Sequence, residues 1–411
     1  MDLYEAISNS IKRYDFDLVQ RLLYTYDVSN IPSILRRFVK VPDVVVQPES
    51  VDEVLKILKI AEEFKVPIVP RGAATSAYGG VIPLQGGIVV DFTRMNRFEI
   101  SKDEKSAIAE CGAIWWDIER GANRFGLALR VYPTSAPAST VGGWIAQNGY
   151  GVGSLKYGCV GENLEWIEVV DFKGVKRISG RDLRYYIGLN GTTGLIVKAC
   201  IKLRENRCIR CFAIRSNLLS FDLGNAYHAV FMNREFLKLL NSGFEDVLLL
   251  CFEDETDFDG DEKLGKILWD LRFQQLRARR EFEIVLSEVV IPYNSIEAFY
   301  DEISKMGIAL EVVFAKDCAV VFAIIPIRNR FEYYPAILKA LKIVSKAEEF
   351  GGRPYTTGTF FSHKSHIVYR NFEELLRFKR SVDPQNLLNP GKVFNKNPIS
   401  RIVEIAERLI A

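Results

Sequence analysis

The sequence predicts an α+β protein in which a two-part, glycine-looped domain is covered by a second, antiparallel α+β domain. Three observations carry this. VVVQPESVDEVLKILKIAEEFKVPIVPRG reads strand, turn, helix, strand, and runs directly into a glycine cluster, PRGAATSAYGG (Pro70 to Gly80). A second glycine-rich stretch, STVGG (Ser139 to Gly143) and then NGYGVG (Asn148 to Gly153), follows about sixty residues later. From about residue 206 the texture changes to long apolar strands and amphipathic helices without glycine loops. Runs of this kind suit an antiparallel sheet with its helices on a face. The parts so defined are residues 1–205, 206–350 and 351–411, the last returning to the first domain.

Taken in order, residues 1 to about 45 read as a helix and an irregular lead-in. In the next helix Val54, Leu55, Leu58 and Ala61 recur at helical spacing, and Asp52 and Glu53 favour its N-terminus. GIVVDF (Gly87 to Phe92) is a buried strand. FEISKDEKSAIAECGAIWWDIERGANRFGLAL gives two short strands and a helix whose Trp115, Trp116 and Ile118 belong to the core. WIEVVDFKGVKRIS is a hairpin around Lys173 and Gly174, and Leu195 to Leu203 is a strand of alternating pattern. In the second part, CFAIRS and VLLLCFED flank one helix, and EFEIVLSEVVI precedes another at Ser295 to Lys305. LEVVFAKDCAVVFAIIP turns at Lys316 and Asp317, and a helix from Tyr334 to Phe350 leads out.

Composition bounds the function. With 411 residues, 48% hydrophobic and 26% charged, the chain is an ordinary globular protein of two or three domains. A net charge of +2 gives no electrostatic case for nucleic acid. No apolar run approaches the roughly 20 residues that span a bilayer, and the N-terminus mixes acidic with basic residues, unlike a signal peptide. The cytoplasm is the expected compartment, with loose attachment to a membrane or a partner subunit left open. Of seven cysteines, Cys208 and Cys211 form a C-x-x-C, but no second pair completes a zinc or iron–sulfur set. They are expected to be buried or half-buried thiols in a strand, RCIRCFAI.

The glycine clusters carry the chemistry. Glycine permits positive φ and close approach of a ligand, and successive amides in such turns form a nest for phosphate oxygens. Ordinary turn chemistry explains one such loop. A Rossmann site needs G-x-G-x-x-G closing a strand and opening a helix. Here Gly149, Gly151 and Gly153 give G-x-G-x-G, and Ser154 to Gly158 are not expected to open a helix.

PRGAATSAYGG, ASTVGG with KYG (Lys156 to Gly158), ENLEWIEVVDFKG (Glu162 to Gly174), GLNGTTGLIVKA (Gly188 to Ala199) and DPQNLLNPGKVF (Asp383 to Phe394) stand in this order. In them the chain resembles the flavoprotein oxidoreductases of the vanillyl-alcohol oxidase and p-cresol methylhydroxylase (PCMH) type, and within these the glycolate oxidase and D-lactate dehydrogenase branch. The resemblance implies a two-part PCMH-type FAD-binding domain with a substrate cap, and non-covalent FAD, since no tethering histidine or cysteine lies in the loops. It assigns to FAD the residues Pro70, Arg71, Gly72, Ala73, Ala74, Thr75 and Ser76, then Pro133, Ser139, Thr140, Gly142, Gly143, Asn148, Gly149 and Gly151. Lys156, Tyr157, Gly158, Gly194, Ile196 and Asn389 complete the set. Ala73, Ala74 and Tyr150 stand where relatives tend to have glycine; positive φ at any of them would cost about 1 kcal/mol. Gly142→Asp is expected to abolish flavin binding with little loss of fold.

The implied reaction is oxidation of a small 2-hydroxy acid, such as D-lactate or glycolate, by hydride transfer to FAD. Arg353 in GGRPY is the first candidate for the substrate carboxylate, ahead of Arg328 and Arg330. The branch carries a histidine-rich metal motif and a Glu-His base; here only His228, His363 and His366 exist, and the base positions fall on Thr357 and Gly358. No metal site is expected, and His363 is the substitute base candidate. Asn389, biased toward an extended conformation by Pro390, is expected to reach the flavin ring with its amide. Two alternatives stand: a sugar-lactone or polyol oxidase, and a flavin-binding, non-catalytic subunit of a larger dehydrogenase. The electron acceptor is unassigned and includes a partner subunit.

Overall fold

The computed structural model describes residues 2–29, 31–216, 222–253, 255–271, 273 and 283–410. Its first sheet comprises β1 (Tyr14–Asp15), β2 (Val44–Val46), β3 (Ile68–Arg71) and β4 (Ile88–Asp91), in the order β1-β2-β4-β3. β2, β4 and β3 are parallel, so the chain needs a crossover, which helix Val51–Phe64 supplies. That helix starts where the Ser50 side chain accepts from the Glu53 amide, and stops at Lys65 with φ 54°. Its stripe of Val54, Ile57, Leu58 and Ala61 packs on Val44, Val46, Ile88 and Val90.

The second sheet holds β5 (Phe98–Ser101), β6 (Ser106–Glu110), β7 (Leu127–Leu129), β8 (Leu164–Asp171), β9 (Gly174–Ser179) and β10 (Leu195–Glu205). The order is β5-β6-β10-β8-β9, with β7 also on β10. β10 does not alternate as its sequence suggested. It is central and covered on both faces: Val197 enters the core of the first sheet, while Ile196, Ala199, Ile201 and Leu203 join that around Trp115. Trp115 is buried and meets Trp144 edge-on at 5.1 Å between ring centroids, as core aromatics do.

The third sheet runs β11 (Arg210–Arg215), β12 (His228–Met232), β13 (Val247–Phe252), β14 (Glu283–Pro292), β15 (Ala309–Phe314), β16 (Cys318–Ile327) and β17 (Arg353–Pro354). Its order is β11-β13-β12-β15-β16-β14-β17, antiparallel at every pairing. Helices Ile296–Ser304 and Tyr333–Glu349 cover one face. On the other face, β15, β16 and β14 look toward the glycine loops.

Several expectations are corrected. The lead-in is ordered as β1 and helix Leu18–Leu23, and the third sheet contains β12 and helix Glu262–Leu271, which the residue pattern did not reveal. Ser154–Tyr157 does form one helical turn, entered at Gly153 with φ 81° and ended at Gly158. A single turn is no βαβ crossover, so it does not make a Rossmann unit. Cys208 precedes β11 and is exposed, whereas Cys211 is disulfide-bonded to Cys251, its direct neighbour on β13. Asp254, Glu281 and Phe282, read into strand segments, lie outside the described residues.

Candidate active site

A cleft enclosing about 1480 Å³, its open mouth included, separates the glycine loops from the third sheet. The first loop leaves β3 at Pro70 and Arg71. Beyond them, the amides of Gly72, Ala73, Ala74, Thr75 and Ser76 donate to no acceptor among the described residues, although every one of these residues lines the cleft. Ala74 takes φ 55°, so one of the three suspected non-glycine positions does bear the left-handed strain; Ala73 and Tyr150 do not. The Arg71 guanidinium donates to the Tyr26 carbonyl at 2.8 Å and lies 5.0 Å from the Tyr24 ring centre. Loss of hydration lowers its pKa, against the pull of Asp91 and Asp27.

The second loop lies against the first. Thr75 and Ser139 hydroxyls are 3.0 Å apart, and Gln147 Nε2 donates to Ser76 Oγ at 2.6 Å. A Cβ on Gly72 would stand 2.1 Å from Thr140 Oγ1, so glycine is what lets the loops meet. Pro133, Ser139, Thr140, Gly142, Gly143, Gly151 and Ile196 also line the cleft. Gly142 plays another part than expected: its amide donates to the Cys111 carbonyl at 2.7 Å, and a Cβ would sit 2.7 Å from Cys111 Cβ. A side chain there must therefore disturb the packing as well as any ligand.

Asn148, Gly149, Lys156, Tyr157, Gly158 and Gly194 do not border the cleft. Asn148 Oδ1 accepts from the Gly161 amide, and a Cβ on Gly149 would strike the Trp144 indole. Lys156 Nζ and Tyr157 OH both reach Glu253, at 2.6 and 3.3 Å, and tie the second loop to the end of β13. Gly194 sits under the Tyr186 ring.

The C-terminal segment closes the first loop from behind. Two backbone bonds of 2.7 Å join it to β3, Ile68 N to Leu387 O and Asn389 N to Ile68 O. Asn389 is not extended but left-handed, with φ 41°, because it is locked into this pairing rather than free to follow Pro390. Its Nδ2 donates to the carbonyls of Gly80 (2.9 Å) and Asn190 (2.7 Å), while its buried Oδ1 has no protein donor among the described residues. Beside it, buried Lys392 donates to the carbonyls of Gly79 and Ile82 and to Thr359 Oγ1. Burial pulls its pKa down to about 7, partly countered by Asp27.

His363 is buried away from the cleft, its Nε2 2.8 Å from Glu407 Oε2 in the last helix; His366 is exposed. At Gly358, the position expected for the family's histidine, φ is 47° and a Cβ would lie 2.1 Å from the Tyr78 carbonyl oxygen, so the backbone itself excludes a side chain. Arg353 pairs with Val290 at the edge of the third sheet, but its Nη1 turns onto the carbonyls of Pro354 and Tyr355.

The wall opposite the loops was not anticipated. Strand register places Glu311, Phe322 and Glu288 side by side on β15, β16 and β14, with Tyr355 beyond them, its amide donating to the Glu288 carbonyl at 3.0 Å. Burial first, and Glu311 second, push the Glu288 carboxyl up to about 8. Both glycine loops grip this rank. Tyr78 OH accepts from the Glu288 amide (2.8 Å) and donates to its carbonyl (2.9 Å), and the Tyr150 amide donates to Tyr355 OH at 2.8 Å. The available signal was a lone acid inside each of two apolar runs, IVLSEVVI and ALEVVF.

The donors fit a dinucleotide. Five unspent amides suit diphosphate oxygens, whereas Asn389, expected to reach the flavin ring, is buried and does not border the cleft. Among the described residues no group of acids, histidines and cysteines could hold a metal ion, and no helix is long and apolar enough to cross a membrane. Residues 42–179 match the family model described as FAD binding domain. Over 97% of its length the chain is 27% identical to the glycolate oxidase subunit GlcD of Bacillus subtilis, covering 97% of that protein. It is 36% identical to a D-lactate dehydrogenase of Archaeoglobus fulgidus over 39% of this chain and 38% of that one. A solved alkyldihydroxyacetonephosphate synthase shares the fold, with a TM-score of 0.70 over 94% of this chain and 84% of its own, at 17% identity.

Proposed function

Starting from a chain that carries a PCMH-type FAD-binding domain and is an FAD-dependent oxidoreductase of the glycolate oxidase and D-lactate dehydrogenase type, we propose that it oxidises a small 2-hydroxy acid, such as D-lactate or glycolate. The observation that supports this most is the cleft itself, in which unspent phosphate-type donors on one wall face a rank of side chains with two carboxyl groups on the other. FAD, when bound, accepts the hydride from the substrate carbon. The first-loop amides hold the diphosphate, and Asn389 braces the loop that bears them. Arg353 lies outside the described lining of the cleft, with its Nη1 spent on the carbonyls of Pro354 and Tyr355, so Arg71 is the charge available to the substrate carboxylate. Phe322 and Val320 exclude water between them and the reacting carbon. The acceptor that takes the electrons onward is a small oxidant or a partner subunit.

A neutral polyol or sugar lactone is the second reading. It is favoured by the two carboxyl groups on the cap wall and by Arg71 being the one cation among the described lining residues. Anaerobic mixing of holoprotein with D-lactate, glycolate, glycerol and xylitol separates the two. Loss of the flavin's visible band with the hydroxy acids alone supports the first reading, and loss with the polyols alone sinks it. An oxidised spectrum with all four would return the chain to a non-catalytic, flavin-carrying role.

A further inference from the structure

Oxidation of an alcohol needs a group that takes the hydroxyl proton, and this inference rests on the reading that the cleft oxidises an alcohol. The described ionisable groups lining the cleft are Asp27, Arg71, Cys111, Tyr150, Glu288, Glu311 and Tyr355. The Asp27 carboxylate is taken up by the Ser29 amide and hydroxyl and by the Gly79 amide. Arg71 has no lone pair to offer. Cys111 lies buried beneath Gly142, and burial pushes its thiol up, as it does the phenols of Tyr150 and Tyr355. The two acids of the cap rank remain.

They are not equivalent. Glu311 is 2% exposed, whereas Glu288 keeps partial exposure to the cleft, and no described side chain hydrogen-bonds its carboxyl. Its backbone is gripped on both sides by Tyr78, a residue of the first phosphate loop, and its carbonyl also receives the Tyr355 amide. The strand position of Glu288 is thus fixed by the loops that hold the cofactor. That is the placement a proton acceptor beside a hydride acceptor requires.

We propose that Glu288 is the catalytic residue that accepts the substrate's hydroxyl proton, with Glu311, on the far side of Phe322, as its positioning partner. The O–H bond breaks, the proton goes to a Glu288 carboxylate oxygen, and the freed pair closes the C=O bond. The α-C–H bond breaks with its pair, and the hydrogen leaves as hydride for the bound FAD, so the alcohol loses the two electrons that FAD gains. The charged and titratable groups facing Glu288 are Glu311 on β15, Arg353 and Tyr355 at β17, Tyr78 from the first loop and Tyr150 from the second. With its carboxyl held up near 8, Glu288 carries a proton at neutral pH and becomes an acceptor as pH rises.

The test uses FAD-loaded protein and two readouts. The first needs no substrate: the visible spectrum of the oxidised flavin is followed from about pH 5 to about pH 10 in the wild type, Glu288→Gln and Glu311→Gln. A spectral step with a midpoint near 8 is expected in the wild type. It should vanish in E288Q and move to lower pH in E311Q, where the repelling charge is gone. The second readout is anaerobic flavin reduction by whichever of D-lactate, glycolate, glycerol and xylitol bleaches the wild type. E288Q should be about 10²- to 10⁴-fold slower at unchanged FAD content, and the wild-type rate should rise with pH through the same midpoint. A spectral step that persists in E288Q overturns the assignment whatever the substrate, as does reduction of E288Q at the wild-type rate. If no compound reduces the wild type, the substrate reading fails, and the spectral step alone decides whether Glu288 ionises beside the cofactor.

Discussion

The two walls of the cleft are built on opposite principles. The loop wall offers backbone: its donors are amides, and side chains matter there mainly by being absent, as at Gly72. The cap wall offers side chains set by strand register, Glu311, Phe322 and Glu288 in one rank. A backbone site is sensitive to any added atom. A register site tolerates such changes but depends on which face each residue takes. Changes on the loop wall should therefore act on cofactor affinity and stability, and changes on the cap wall on rate.

The largest expected effect is at Lys392, behind the loop wall. Lys392→Met removes a buried donor to three acceptors and should cost about 3 kcal/mol, read from denaturant midpoints. Its pKa is near 7 in the folded protein, against an ordinary lysine value of 10.5 once the chain unfolds. Between these values the unfolded chain binds more protons, so this group makes stability rise with pH, and K392M should lose that rise. Glu288 acts in the other direction. Raised from 4.5 to about 8, it makes stability fall across that interval, and the fall should disappear in E288Q.

Gly72→Ala should weaken FAD binding about 10- to 100-fold by wedging the two loops apart, and adding Thr140→Ala should recover most of it, both measured by flavin titration. Failure of the second change to rescue would mean that the loops do not meet through these atoms. Asn389→Ala should cost about 1–3 kcal/mol, because it strips donors from two buried carbonyls. On the cap wall, Tyr355→Phe should cost only about 1 kcal/mol and leave FAD content unchanged while slowing reduction, since it frees the Tyr150 amide from the rank that carries Glu288. A loss of FAD in Y355F would erase the distinction between the walls. The smallest effect is a gain: Ala74→Gly relieves a left-handed alanine and should add up to about 1 kcal/mol with flavin binding intact.

The loop wall was legible in the residues because glycine announces itself. Gly72, Gly142 and Gly151 could be picked out as loop residues without knowing where the chain goes next, and all three line the cleft. Even so, which amides are spent was not visible, since Gly142 gives its own to Cys111 through a contact set by tertiary packing. Asn389 shows the same limit, because a pairing with Ile68 overrides the local bias that Pro390 exerts. The cap wall was hidden for a different reason. That Glu288 and Glu311 flank one phenylalanine depends on two strand registers, and residue order does not state a register. His363 looked eligible as a base by residue type, yet its neighbour in space is Glu407, 44 positions away.

The buckle formed by Asn389 and Lys392 fixes an order of events in the life of each molecule. The carbonyls it fastens, at Gly79, Gly80 and Ile82, are synthesised roughly three hundred residues earlier. A ribosome that has released the whole first domain has still not made the piece that holds its first loop shut. Newly made chains therefore hold this turn unfastened until the last segment emerges, and if the turn takes the diphosphate as proposed, FAD capture follows completion of the chain. Nascent chains stalled before Asp383 should take up flavin poorly, although both glycine loops have already been translated.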